Sequence, residues 1–213
     1  METDYIKIKT LLIVVTSIVF IESAAILLSS GRHPNPMLVT GVVRLLEIIT
    51  IIITVINWGN GLPSIGLDRS ITEGFKKGLL WSAIFGLITG FIFLILYIAG
   101  KNPLTLIHTR LPENRYDLFL FLCIGCIIGP VAEELFFRGI LYGFFRRWGI
   151  SAALCFTTII FIFAHHNTGT IPVTQAAGGI VFAVAYEIEE SLLVPIIIHI
   201  LGNTAIFLLP SIL

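Results

Sequence analysis

Residues 116–145 read YDLFLFLCIGCIIGPVAEELFFRGILYGFF. The reading of this run decides the fold. It is apolar enough to lie in lipid. At about 1.5 Å per helical residue it more than crosses a hydrocarbon core of about 30 Å. Yet Glu133, Glu134 and Arg138 stand inside it. It is either two short helices broken at Glu133–Glu134 or one long helix that carries three charged groups at membrane depth. The first reading gives eight spans for the whole chain, the second seven.

The flanking sequence repeats the pattern. Hydropathy marks further spans at 10–30, 37–57, 79–99, 151–166, 173–187 and 191–210. Residues 59–78 and 100–115 are polar connections with Gly, Pro and basic residues, the first ending in a short amphipathic lead-in. Repeats, low-complexity segments and a second soluble domain are not visible. The expected fold is all-α: a polytopic transmembrane helix bundle of seven to eight spans, forming one domain over 1–213.

Composition agrees. Of 213 residues, 56% are hydrophobic and 12% charged, and mean hydropathy is +0.99. A soluble domain carries about 25% charged residues. The 13 basic and 13 acidic residues cancel, and no basic stripe suggests nucleic acid. Cys123, Cys126 and Cys155 all lie in apolar runs and read as packing residues rather than a redox or metal motif. Lys7 and Lys9 precede an apolar run too long for a signal peptide, so the first segment is expected to be an uncleaved span.

Charge bias orients the bundle. With seven spans, Lys7, Lys9, Arg69, Lys76, Lys77, Arg146 and Arg147 share one side. Arg32, Lys101, Arg110 and Arg115 lie on the other. The richer side is expected to be cytoplasmic, with the N-terminus on it. Counted from that side at about 1.5 Å per residue, Glu133 and Glu134 lie roughly 17–18 Å deep. On the same scale His165 lies roughly 21 Å deep, and His199 and Asn203 roughly 13 and 20 Å. Polar residues of three helices thus converge near mid-membrane only if the fourth span is one helix.

Ionisable groups inside a membrane are costly and point to function. Glu134 and Arg138 are four apart in EELFFRG, so they share a face and can pair. Glu133 is rotated about 100° away and is free to act as a general base. His165 closes the run FIFAHH with His166, and His165 takes the deeper position. His199 and Asn203 are four apart in HILGN and could donate together to one oxygen, as an oxyanion site requires. The set suffices for attack by water on an amide without a Ser or Cys nucleophile. HExxH is absent. A zinc ion, if bound, would take Glu133, His165 and His199 and leave a position for water.

These three motifs resemble the CPBP family of intramembrane proteases. That family includes CAAX prenyl endopeptidases of the Rce1 type and bacterial Abi proteins linked to bacteriocin maturation and immunity. The family pattern EExxxR corresponds to Glu133, Glu134 and Arg138, FxxxH to Phe161 and His165, and HxxxN to His199 and Asn203. The resemblance covers residues 115–210, which would form the catalytic core. It implies an intramembrane endopeptidase in which Glu133, assisted by His165, activates water. It further implies that His199 and Asn203 stabilise the oxyanion, with Glu134 and Arg138 in support. The implied substrate is a peptide or membrane protein, and the implied location is a multi-pass position in a prokaryotic cell membrane.

Other charged residues read differently. Glu22, and Arg44 with Glu47, which are three apart and can pair, could shape a substrate groove, but structural partnership or the lining of a wet cavity is the stronger expectation. Glu187, Glu189 and Glu190 read as a solvated turn before the seventh helix. His33 and His108 carry no signal. Two other functions compete with proteolysis: a non-enzymatic bacteriocin-immunity or scaffold protein, and a small proton-coupled transporter. Against the transporter, no inverted repeat or pair of broken helices is visible.

Overall fold

The computed structural model describes residues 5–30, 35–67, 69–106, 111–165 and 173–212. His33, His108 and His166 lie outside them. Seven helical rods follow one another: α1 (Ile8–Ser29), α2 (Pro36–Trp58), α3 (Ile71–Ile98), α4 (Arg115–Trp148), α5 (Ile150–Ala164), α6 (Val173–Glu189) and α7 (Leu193–Ile212). No strand occurs among the described residues. The first four rods are long and apolar enough to cross a membrane, and α5 and α7 are shorter apolar helices. The protein is an all-α integral membrane bundle.

The fourth span is one rod of 34 residues. It does not break at Glu133–Glu134. It widens instead into π-helical turns at Ile124–Ile128 and Leu135–Tyr142, on either side of the α-helical Gly129–Glu134. Pro130 supplies a physical reason for the first. Its ring lacks an N–H and would press on the carbonyl four residues back, at Cys126, which lies in the widened turn.

The third span begins earlier than hydropathy suggests. The expected lead-in is the first two turns of α3, started by Ser70, whose side chain accepts from the Glu73 amide at 3.5 Å. Most of α3 faces lipid. It meets α7 through Gly78, where a Cβ would stand 2.7 Å from Ile197 Cβ. Close backbone approach of this kind holds membrane helices together where lipid removes the hydrophobic drive between them.

The core is a cluster that includes Val14, Ile51, Val55, Leu135, Ile140, Tyr142, Tyr186 and Leu192. Polar clamps tie the helices at one end of the bundle. Arg146 grips Glu187 through Nε and Nη2 at 2.8–3.1 Å, and Tyr142 donates to Glu187 at 2.9 Å. Lys77 pairs with Glu189 at 2.7 Å, and Trp81 donates to it at 2.9 Å. Arg69 meets Glu190 at 2.6 Å. Of the three acidic residues expected as a solvated turn, Glu187 and Glu189 are therefore interhelical clamps, and Glu190 joins the two connecting segments. Thr10 Oγ1 donates to the Trp58 carbonyl at 2.9 Å and fastens α1 to α2.

Candidate active site

The middle of α4 supplies the carboxylates. Glu134 and Arg138 pair through Oε1 and Nη1 at 3.0 Å, as their spacing predicts, and both are essentially fully buried. Arg138 Nη2 donates to the Gly179 carbonyl of α6 at 3.0 Å. Its guanidinium lies 4.9 Å from the Phe161 ring and 5.3 Å from the Phe182 ring. These ring faces offset part of the cost of burying the charge. Glu134 Oε1 also faces His199 Nδ1 at 2.7 Å. One carboxylate oxygen thus joins α4 to α7, and His199 stacks on Phe182 of α6 at 4.7 Å.

Glu133 points elsewhere. Its Oε2 stands 3.3 Å from His165 Nε2 and 3.8 Å from His199 Nε2. Neither contact is aligned as a hydrogen bond, and this oxygen has no such partner among the described residues. His165 follows the last residue of α5, where its Nδ1 lies 2.9 Å from the Phe161 carbonyl. A carbonyl can only accept, so Nδ1 carries a proton. By the same logic the Arg138-paired carboxylate of Glu134 holds a proton on His199 Nδ1. Both imidazoles then turn Nε2 towards Glu133. The three groups can share a proton or hold a water between them.

The structure therefore brings Glu133, His165 and His199 into one cluster, backed by Glu134 and Arg138. Asn203 sits one turn beyond His199 on α7. Its Nδ2 donates to the Gly125 carbonyl at 2.8 Å, inside the first widened turn of α4. An Asn amide has two N–H donors, so one remains. Sequence reasoning did not find Phe182 or the Gly179 carbonyl. Neither carries a signal in an apolar helix, since each acts only through what α6 packs against. Among the described residues, no group of three or more His, Cys, Asp or Glu side chains is arranged to hold a metal ion. No step below runs through a metal.

Residues 115–205 match a family described as type II CAAX prenyl endopeptidase, Rce1-like. Over 91 residues the chain is 35% identical to the membrane-embedded CAAX protease MroQ of Staphylococcus aureus (strain USA300). That alignment covers 39% of this chain and 36% of MroQ, so the chain matches about a third of that relative's length. Over 194 residues it is 25% identical to an uncharacterized 24.3 kDa protein of Escherichia coli, covering 86% and 84% of the two chains. No solved structure matches.

Proposed function

We propose, from the premise that residues 115–205 form an Rce1-like segment of the CPBP intramembrane protease family, that this chain is an intramembrane endopeptidase that uses water activated by Glu133 and His165. The catalytic core is residues 115–210 of a single membrane domain. The observation that carries the reading is the position of Glu133 Oε2 between the Nε2 atoms of His165 and His199, at 3.3 and 3.8 Å.

The chemistry follows from the proton positions. Water attacks the scissile carbonyl carbon and gives one proton to Glu133, whose carboxylate is its general base. His165 Nε2 relays or stores that proton. The carbonyl oxygen becomes an oxyanion and needs donors. Asn203 offers its remaining N–H. His199 donates when its Nε2 is protonated, and the imidazolium is then stabilised by Glu134 through Nδ1, the role a buried carboxylate plays behind a catalytic histidine. Collapse breaks the C–N bond, and the departing amine takes the proton held by Glu133 and His165. Arg138 holds Glu134 in place through their ion pair.

The substrate is a peptide or membrane protein with its scissile bond at membrane depth. The deciding experiment uses the purified full chain and a fluorogenic peptide panel. Glu133→Ala and His199→Ala are each expected to lower kcat by at least about a hundredfold, with circular dichroism and Tm showing that both remain folded. A parallel arm with a chelator tests for a bound metal. Cleavage, or a cellular phenotype, that survives both substitutions would instead mark a non-enzymatic immunity or scaffold protein.

A further inference from the structure

A second polar centre lies outside the proposed catalytic cluster. A cleft of about 760 Å³ opens between α1 and α2. Glu22, Ala25 and Ser29 line it from α1, and Val39, Val43 and Arg44 from α2. Each set recurs at helical spacing, so each is one helix face. Glu22 and Arg44 are both 14 residues from the cytoplasmic ends of their helices, or roughly 21 Å deep. Glu133, 15 residues from the same end of α4, lies at roughly 22 Å. The inner end of the cleft is therefore at the level of the catalytic cluster, and the cleft runs from there to the outer ends of α1 and α2 at Ser29 and Pro36. Arg44 links the two, because α2 packs against Gly129–Glu134 and Arg44 interacts electrostatically with Glu133.

The two carboxyls share one cation unequally. Arg44 Nη1 meets Glu47 Oε2 at 2.5 Å and Glu22 Oε1 at 3.3 Å. One guanidinium serves two carboxylates at membrane depth. Glu47 takes the close contact and is 3% exposed, and its Oε1 has no hydrogen-bond partner among the described residues. Glu22 keeps the longer contact, and its side chain is 42% exposed in the cleft. A carboxyl that shares its cation with a second one and opens into a cleft at this depth offers a seat for a positive group. The walls suit one as well. Ala25, Val39 and Val43 offer an apolar track for the methylene stem of Lys or Arg, with the charged head at Glu22.

We propose that this cleft seats a basic side chain of the substrate polypeptide, its cationic head on Glu22, and so selects substrates with Lys or Arg near the scissile bond. The occupant is called substrate on the strength of the protease reading. The binding site is not dependent on it, so two arms separate the two.

The first arm measures binding. Fluorescent peptides that differ only in Lys, Gln or Glu at successive positions are titrated by anisotropy against full-length Glu133→Gln protein in lipid nanodiscs. The Lys peptide is expected to bind about tenfold or more tighter than the Glu peptide at one position. Adding Glu22→Gln should bring that ratio close to one, and Glu22→Lys should reverse it. Reversal is a gain that misfolding cannot mimic. The second arm repeats the panel as cleavage by wild type, where the same ratio should appear in kcat/KM, mainly through KM. Equal binding of all three peptides, or a Lys preference that survives Glu22→Gln, overturns the site. Equal binding would also mean that Glu22 and Glu47 share a proton and hold no surplus charge. A Lys preference in binding without any cleavage by wild type keeps the cleft and removes the protease.

Discussion

At the scale of residues, Glu133 and Glu134 are neighbours in sequence and opposites in environment. Glu134 is closed in by Arg138 and His199 at 3.0 and 2.7 Å. Glu133 is partly accessible and has an oxygen without a hydrogen bond. Substituting them should therefore separate stability from activity. Glu134→Gln leaves Arg138 buried without its counter-charge, which costs about 3–5 kcal/mol when one partner of a buried pair is removed. A large fall in Tm is expected, together with loss of cleavage. Glu133→Gln removes no aligned hydrogen bond, so its Tm should stay close to wild type while cleavage is lost. Thermal unfolding of both variants in one detergent checks the pair. An equal fall in Tm for the two would show that Glu133 is structural. The i,i+4 pairing of Glu134 with Arg138 was legible in the sequence, because helix geometry alone sets it. The contact of Glu134 with His199 was not, because 65 residues separate the partners.

At the scale of elements, the widened turns of α4 set the direction in which Glu133 points. A π turn holds one residue more than the α-helix would use, so removing that residue rotates everything on one side by about 100° relative to the other. Deleting Ile127 is expected to leave the helix content by circular dichroism unchanged and to abolish cleavage, because Glu133 then turns away from His165 and His199. Full activity in the deletion variant would mean that the turn is incidental. The contact of α3 with α7 makes a separate prediction. Gly78→Leu places a Cβ where Ile197 Cβ already stands 2.7 Å away. Overpacking typically costs about 1–3 kcal/mol, and a corresponding fall in Tm is expected with the cleavage pattern unchanged, since α3 carries none of the proposed catalytic groups. The sequence marks α3 as a span, but its early start at Ile71 depended on a cap that hydropathy does not read.

At the scale of the whole molecule, the expectation that all seven rods cross the membrane puts the start of α1 and the end of α7 on opposite sides. Seven basic residues against four favour the N-terminal side as cytoplasmic. An alkaline phosphatase fused after Leu213 should therefore be active in a bacterial host, and a fusion after Trp58 should be inactive. The reverse pattern would invert the bundle. What the sequence by itself determined is local: where lipid is the solvent, where the apolar runs fall, and which polar residues share a helix face. Those follow from hydropathy and from a 3.6-residue period. Only the tertiary structure decided that α4 is continuous, that the acidic turn is a set of clamps, that Glu134 orients His199, and that Glu22 and Glu47 crowd one guanidinium. Each of those depends on side chains from different helices meeting in space. Apolar sequence specifies that helices will pack but not which faces meet, because in lipid that choice rests on shape and hydrogen bonding across the interface.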